Sequence, residues 1–392
     1  MATHDTRPRP DACPGARKVH RAADGAIGRL RFPGGELPAP GFGVLADLAE
    51  GFGDGDLHLT SRGNVQIRGI RDVSGFADAV EDAGLLPHPD HDRMRNIIAS
   101  PLTGRVGGLD DASGLAAELD AALCARGDLA SMPGRTLFAV DDGRGDVLME
   151  RPDLGVVARG GGRWELIAGG RPSGVVVDRA GVAELVADAA SAWESMRGTA
   201  WRIGEAGKAD DVVAAVADGP GRERGEPGSA PEGQTGEAAP PIGWIDQPDG
   251  NVALAAGLRF GVLPGRLARA IAHLTCPVHV TPWYSLVFTD LEEAIAEQVV
   301  RVMAPNGLVF DANSTWLRVT ACTGLPGCAK SLSDTRGDAS HGIASGRLPD
   351  GRVHFTGCER RCGAPKIGHV EYLATGDGEY EVTAREPETA AR

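Results

Sequence analysis

The 392-residue sequence predicts an α+β fold in which a duplicated strand-helix-strand unit is arranged with pseudo-twofold symmetry and each copy is followed by a further α/β domain. Three observations predict it. Residues 28–32 (GRLRF), an apolar helical run near 44–49 and residues 57–60 (LHLT) recur in the same order as 256–260 (AGLRF), a run near 267–274 and 278–281 (VHVT). A stretch rich in Gly, Pro, Ala and charge at 205–240 separates the copies and reads as a flexible linker. Four of the seven cysteines are confined to the last 75 residues. Chance likeness of two short segments is the competing reading of the repeat.

Taken in order, residues 1–100 form the first unit, whose periodicity predicts a second helix at 73–85. Residues 57–68 alternate as one strand, with Arg62, Asn64, Gln66 and Arg68 on a single polar face. A solvated edge strand is the plain alternative. Residues 101–204 form the first α/β domain, with helices at 112–126 and 182–196 and strands near 136–140 and 174–177. Residues 141–145 (DDGRG) read as a turn. After the linker, residues 241–304 form the second unit, with a further helix at 291–303, and 305–392 the second α/β domain, with a strand at 316–320 leading into the cysteines. The first dozen residues and the tail after Glu386 read as mobile.

The four cysteines stand as Cys322-x5-Cys328 and Cys358-x3-Cys362 among small turn-forming residues. Two short loops, each carrying a pair, suit a [4Fe-4S] cluster, which needs four thiolates converging on one volume. Structural zinc loops are usually tighter, with two to four residues between paired ligands, so zinc is a strained alternative and unrelated core thiols are another. Cys124 and Cys276 fall in apolar patterns and read as buried structural thiols, and Cys13 is left over. From Arg318 to Lys366 the chain carries eight Arg or Lys against four Asp or Glu, a basic surround in which Lys330, Arg360 and Arg361 flank the cluster cysteines.

Residues 321–328 (ACTGLPGC) and 356–362 (TGCERRC) resemble the signature of the sirohaem sulfite and nitrite reductase superfamily. The resemblance extends over nearly the whole chain and implies two ferredoxin-like half-domains joined into one unit, with two α/β domains clasping a tetrapyrrole. It implies cluster ligation by Cys322, Cys328, Cys358 and Cys362, with Cys362 between the cluster and the tetrapyrrole iron. The run Thr60-x-Arg62-x-Asn64-x-Gln66 and the stretch from Arg95 match carboxylate-binding segments of the family. Arginine suits that task because its planar fork pairs with a carboxylate through two hydrogen bonds.

One departure matters. Where the reductases carry closely spaced lysines, this sequence has residues 132–138 (MPGRTLF), keeping one cation, Arg135, and replacing the second with Leu137. A six-electron reduction consumes many protons, so losing such a donor is a physical objection to that chemistry. Residues 7–15, 133–147, 241–244 and 280–283 instead resemble the precorrin-3B synthase branch of the superfamily. That branch implies precorrin-3A and dioxygen as substrates, oxygenation at C20 with γ-lactone closure, an electron donor of unstated identity and a non-haem iron beside the cluster. The alternative is a sirohaem-dependent reductase. Under the first reading Arg62, Asn64, Gln66, Arg95 and Arg135 hold substrate carboxylates, and Trp283, standing where Arg62 stands in the other copy, is an aromatic wall or a core residue. His58 and His279 occupy equivalent places and read more readily as core or surface histidines than as iron ligands.

The formal charge of −14 and pI near 5.2 argue against nucleic acid or an anionic membrane as partner. No apolar run approaches membrane-spanning length and the amino terminus lacks the apolar core of a signal peptide, so a cytoplasmic enzyme is expected.

Overall fold

The computed structural model describes residues 11–228, 240–365 and 367–387. The stretch 229–239 of the expected linker, the first ten residues and the last five lie outside them. Four sheets with flanking helices give the expected α+β class. No helix among the described residues is long and apolar enough to cross a membrane.

The two repeated units share a single core. Helix Gly41–Phe52 of the first packs on helix Gly265–Ile271 of the second, and Phe42, Leu45, Ile67 and Phe76 are buried in one cluster with Leu254, Leu267, Ile271 and Phe288. Burying side chains of this size stabilises by roughly 1.5–3 kcal/mol each. The units also exchange a strand. The first sheet runs His20–Ala22, Gly25–Leu30, Val65–Ile70, Asp56–Leu59 and then Val262–Pro264, a strand from the second unit. The second runs Gly243–Asp246, Val252–Leu258, Ser285–Leu291, Pro277–Val280 and then Glu36–Pro38, from the first. Each borrowed strand ends in Leu-Pro at an edge, where a missing N–H costs no ladder bond. Just before one of them, Gly35 adopts φ +74° with no room for a Cβ beside the carbonyl of Val280.

Residues 57–68, expected as one strand, form a hairpin of Asp56–Leu59 and Val65–Ile70. The turn chemistry of Gly63 and Asn64 overrides the alternation: Gly63 takes φ +62°, and the N–H groups of Arg62 and Asn64 donate to Thr60 Oγ1 at 3.3 and 3.2 Å. Thr281 accepts from Trp283 and Ser285 in the same way, at 3.3 Å each, so the repeat holds down to its hydrogen bonds.

A six-stranded sheet from Ile97–Ala99 to Glu223–Arg224 forms a separate layer, parallel at one end and antiparallel at the other, under helices Leu115–Cys124 and Val182–Met196. Part of the expected linker belongs here. Helix Ala209–Val216 buries Val212 and Val216, one turn apart, against this core, an apolar pair masked in the sequence by flanking Gly and charge. The fourth sheet runs Val319–Ala321, Val353–Thr356, His369–Gly376 and Glu379–Arg385. The strand expected at 316–320 is a short helix, Thr315–Arg318, followed by Val319–Ala321. Ser314 precedes it as a helix-starting residue type.

Candidate functional site

Strands Val319–Ala321 and Val353–Thr356 are parallel neighbours, so their carboxyl ends deliver Cys322 and Cys358 side by side. The Cys322 N–H donates to the Phe355 carbonyl at 2.9 Å, and the Gly357 N–H donates to Cys322 Sγ at 3.2 Å. Between the pairs, Leu332 N–H donates to Gly357 O at 2.9 Å, and Thr335 Oγ1 donates to Cys322 O at 3.0 Å at the start of helix Thr335–Ser345. All four cysteines are free thiols. Burial and the three neighbours Cys322, Cys358 and Cys328 push the Cys362 thiol up, against a downward pull from Arg360, so Cys362 lies within electrostatic reach of the other three. Among the described residues no three His, Cys, Asp or Glu side chains are close enough to share a single ion. A four-iron cluster spaces its thiolates more widely than one ion does. A backbone N–H aimed at one sulfur and the buried, unpartnered Arg336 Nε both fit an anionic cluster there.

Arg361 adopts φ +47° between Cys358 and Cys362, and its Nε reaches both Glu371 oxygens at 3.0 Å, with Arg385 on the same carboxylate. It braces the loop. Arg68 joins this loop region to the first unit, donating to Asp24 Oδ2 at 3.1 and 2.9 Å and to the carbonyl of Gly327 at 3.2 Å.

The other end of strand Val65–Ile70 opens on a buried polar network. Arg62 Nη1 donates to Gly134 O at 2.9 Å, and Asn64 Nδ2 to Asn96 Oδ1 at 2.9 Å. Gln66, its amide oxygen turned toward Arg29, accepts from Nη2 at 2.6 Å and Nε at 3.1 Å. Burial pulls the guanidinium of Arg62 down to about 10 and that of Arg31 likewise. Arg135, next to Gly134, is half exposed and stacks over Trp201 at 4.7 Å. Arg95 stands apart: its Nε and Nη2 both lie on Asp120, at 2.7 and 2.6 Å, and its side chain is 5% exposed. That pairing puts it in the framework, where no fork is left for a ligand. Sequence reasoning passed over Arg29, Arg31 and Asn96. The signal for the two arginines was the alternation of cations in 28–32, where a core strand would be apolar.

The family model for a nitrite/sulfite reductase ferredoxin-like half domain matches residues 20–74. The structure of the Mycobacterium tuberculosis NirA protein is similar with a TM-score of 0.71 at 19% identity, covering 92% of this chain and 73% of that one. A precorrin-3B synthase of Sinorhizobium sp is 25% identical across 94% of this chain and 81% of its own length. Residues 20–74 therefore match a nitrite/sulfite reductase ferredoxin-like half domain, and the chain as a whole shares the fold of the NirA protein. Ferredoxin–nitrite reductases match shorter stretches: that of Leptolyngbya laminosa is 40% identical over 80 residues, 19% of this chain and 16% of that protein. That of Synechococcus elongatus is 30% identical over 127 residues, 30% of this chain and 25% of that protein.

Beyond the matched half-domain, the chain carries an acidic turn with its own charge logic. Asp141 Oδ1 accepts from Gly143 and Gly145 at 2.9 Å each, and Arg144 clasps Asp142. Asp146 Oδ1 accepts from Ser100 Oγ at 2.6 Å. Burial, reinforced by the charge of Asp141, pushes Asp146 up to about 7, while burial pushes Asp141 up to about 6. Both values lie above the usual carboxylate range, so between about pH 4 and 7 the folded chain keeps a proton the unfolded chain has lost, and stability falls as pH rises through that window. Asp146→Asn is therefore expected to stabilise by about 1–2 kcal/mol at pH 7.5 and to be neutral near pH 4. Urea unfolding midpoints at the two pH values check it; equal gains at both would refute it. His58 Nε2–H donates to the Asp54 carboxylate at 2.8 Å, and burial drops His279 to about 4, which keeps it neutral in the core.

Proposed function

We propose that this chain is a precorrin-3B synthase, an oxygen-dependent monooxygenase that hydroxylates precorrin-3A at C20 with γ-lactone formation in cobalamin biosynthesis. The similarity to the Sinorhizobium protein over most of both chains supports this reading. The observation that carries it is Leu137. It is 2% exposed and packs with Ile98, Ala139, Val147 and Trp283, so the position matched to a cation in the reductases points into an apolar cluster and supplies no proton.

Cys322, Cys328, Cys358 and Cys362 are the residues that hold the cluster, which supplies one-electron transfer when bound. The Arg62 side chain makes one hydrogen bond, to Gly134 O, and the rest of its fork has no protein acceptor among the described residues. A carboxylate completes it, at low dielectric where charge-assisted bonds are strong. Asn64 and Gln66 orient that neighbourhood by holding Asn96 and Arg29 in place. Arg135, half exposed next to Gly134 with its Nε 3.6 Å from Asp11 Oδ1, meets a second acidic group of the substrate. One atom of dioxygen enters the substrate, and the other leaves as water with two electrons and two protons from a donor. For a mononuclear iron the described residues offer no three-ligand group.

Anaerobically purified protein is expected to contain cluster iron and sulfide without sirohaem, and to add one oxygen atom to precorrin-3A in the presence of dioxygen. Arg62→Gln should raise KM for the tetrapyrrole tenfold or more, about 1.5–3 kcal/mol, with cluster content unchanged. The local 40% identity to a ferredoxin–nitrite reductase favours the second reading, a sirohaem-dependent reductase. Stoichiometric sirohaem in the purified protein decides for it.

A further inference from the structure

Arg336 is the second residue of helix Thr335–Ser345, half-buried and directly after Thr335, whose Oγ1 donates to Cys322 O at 3.0 Å and lies 3.5 Å from Cys322 Sγ. It forms no ion pair among the described residues, and its Nε is buried with no hydrogen-bond partner. The acids nearest to it are otherwise engaged: Asp54 with His58 at 2.8 Å, and Asp334 with the N–H of Gly337 at 3.0 Å as the helix cap. Arg68, the other cation close by, is already held by Asp24 and Gly327 O. Burial and Arg68 both disfavour the charged guanidinium, and Cys322 favours it.

A guanidinium whose Nε–H is buried with no acceptor is costly, so its presence calls for an acceptor or anion beside it. A cluster on four thiolates is such an anion, and it gains one further negative charge on reduction. A fixed positive charge beside the cluster stabilises the reduced form more than the oxidised form. We propose that Arg336 sets the reduction potential of the cluster, raising it so that the electron donor can fill it. This rests on the reading of the four cysteines as cluster ligands.

The test is potentiometric titration of the full-length protein with its cluster, followed by electron paramagnetic resonance, in the wild type, Arg336→Met and Arg336→Lys. Arg336→Met is expected to lower the potential so that the oxidised-to-reduced ratio at fixed potential rises roughly tenfold, about 59 mV for a one-electron couple. Arg336→Lys should restore most of it. An unchanged potential in Arg336→Met with full cluster content overturns the proposal. Cluster loss in Arg336→Met but not in Arg336→Lys supports a role for the charge, whereas equal loss in both overturns it in favour of packing. A wild type that assembles no cluster fails differently, because it removes the cysteine reading itself.

Discussion

Replacing Cys358 by serine is expected to drop bound iron from about four atoms per chain to below one, with loss of the sulfide and of all tetrapyrrole turnover. The expectation follows from how the site is built. Cys322 and Cys358 leave adjacent parallel strands, and Gly357 N–H already commits to Cys322 Sγ at 3.2 Å, so the backbone cannot shift to bring in a substitute. A serine hydroxyl stays protonated where a thiol ionises, and three thiolates leave one iron open to water. Cys124→Ser and Cys276→Ser are the controls. Burial pushes those thiols up to about 12 and about 11, which keeps them neutral and poor as ligands. Iron and sulfide analysis of the three variants checks the prediction; full iron in Cys358→Ser would sink it.

The second large effect concerns stability. Arg95→Met is expected to destabilise the folded chain by about 3–5 kcal/mol, because Asp120 is left charged and buried without its partner. The double variant Arg95→Met/Asp120→Leu should recover most of that loss, since two apolar side chains in place of a buried pair are often neutral. Urea denaturation of the single and double variants reads both terms. If Arg95 instead met substrate directly, Arg95→Met would fold with near wild-type stability and lose only tetrapyrrole binding.

The sequence was most legible where local pattern and chemistry agreed. Helix Val182–Met196 stands at its expected bounds, because its apolar face is continuous, and the cysteine pairs were visible as spacings. It was least legible where a few residues of turn or partner chemistry decide. Gly63 folded an apparent strand in two, and Val212 with Val216 made a helix inside a stretch whose composition reads as linker. The arginines show the limit most clearly. Arg62 and Arg95 look alike in sequence, yet one keeps most of its fork free and the other is closed by Asp120, 25 residues away. Only a long-range contact distinguishes them. The exchanged strands Glu36–Pro38 and Val262–Pro264 were missed for the same reason, being three residues long and paired outside their own unit.

That exchange bears on how such a chain can arise. A single-copy ancestor would have had an open sheet edge beside Asp56–Leu59 and a strand with nowhere of its own to pair. The closed form open to it is a symmetric homodimer trading that strand between identical subunits. Fusing two such copies in one chain would turn the trade into an intramolecular one and release the copies from identity. One turn could then keep a cation at Arg62 while its counterpart became Trp283, an asymmetry that no dimer of one gene product can encode.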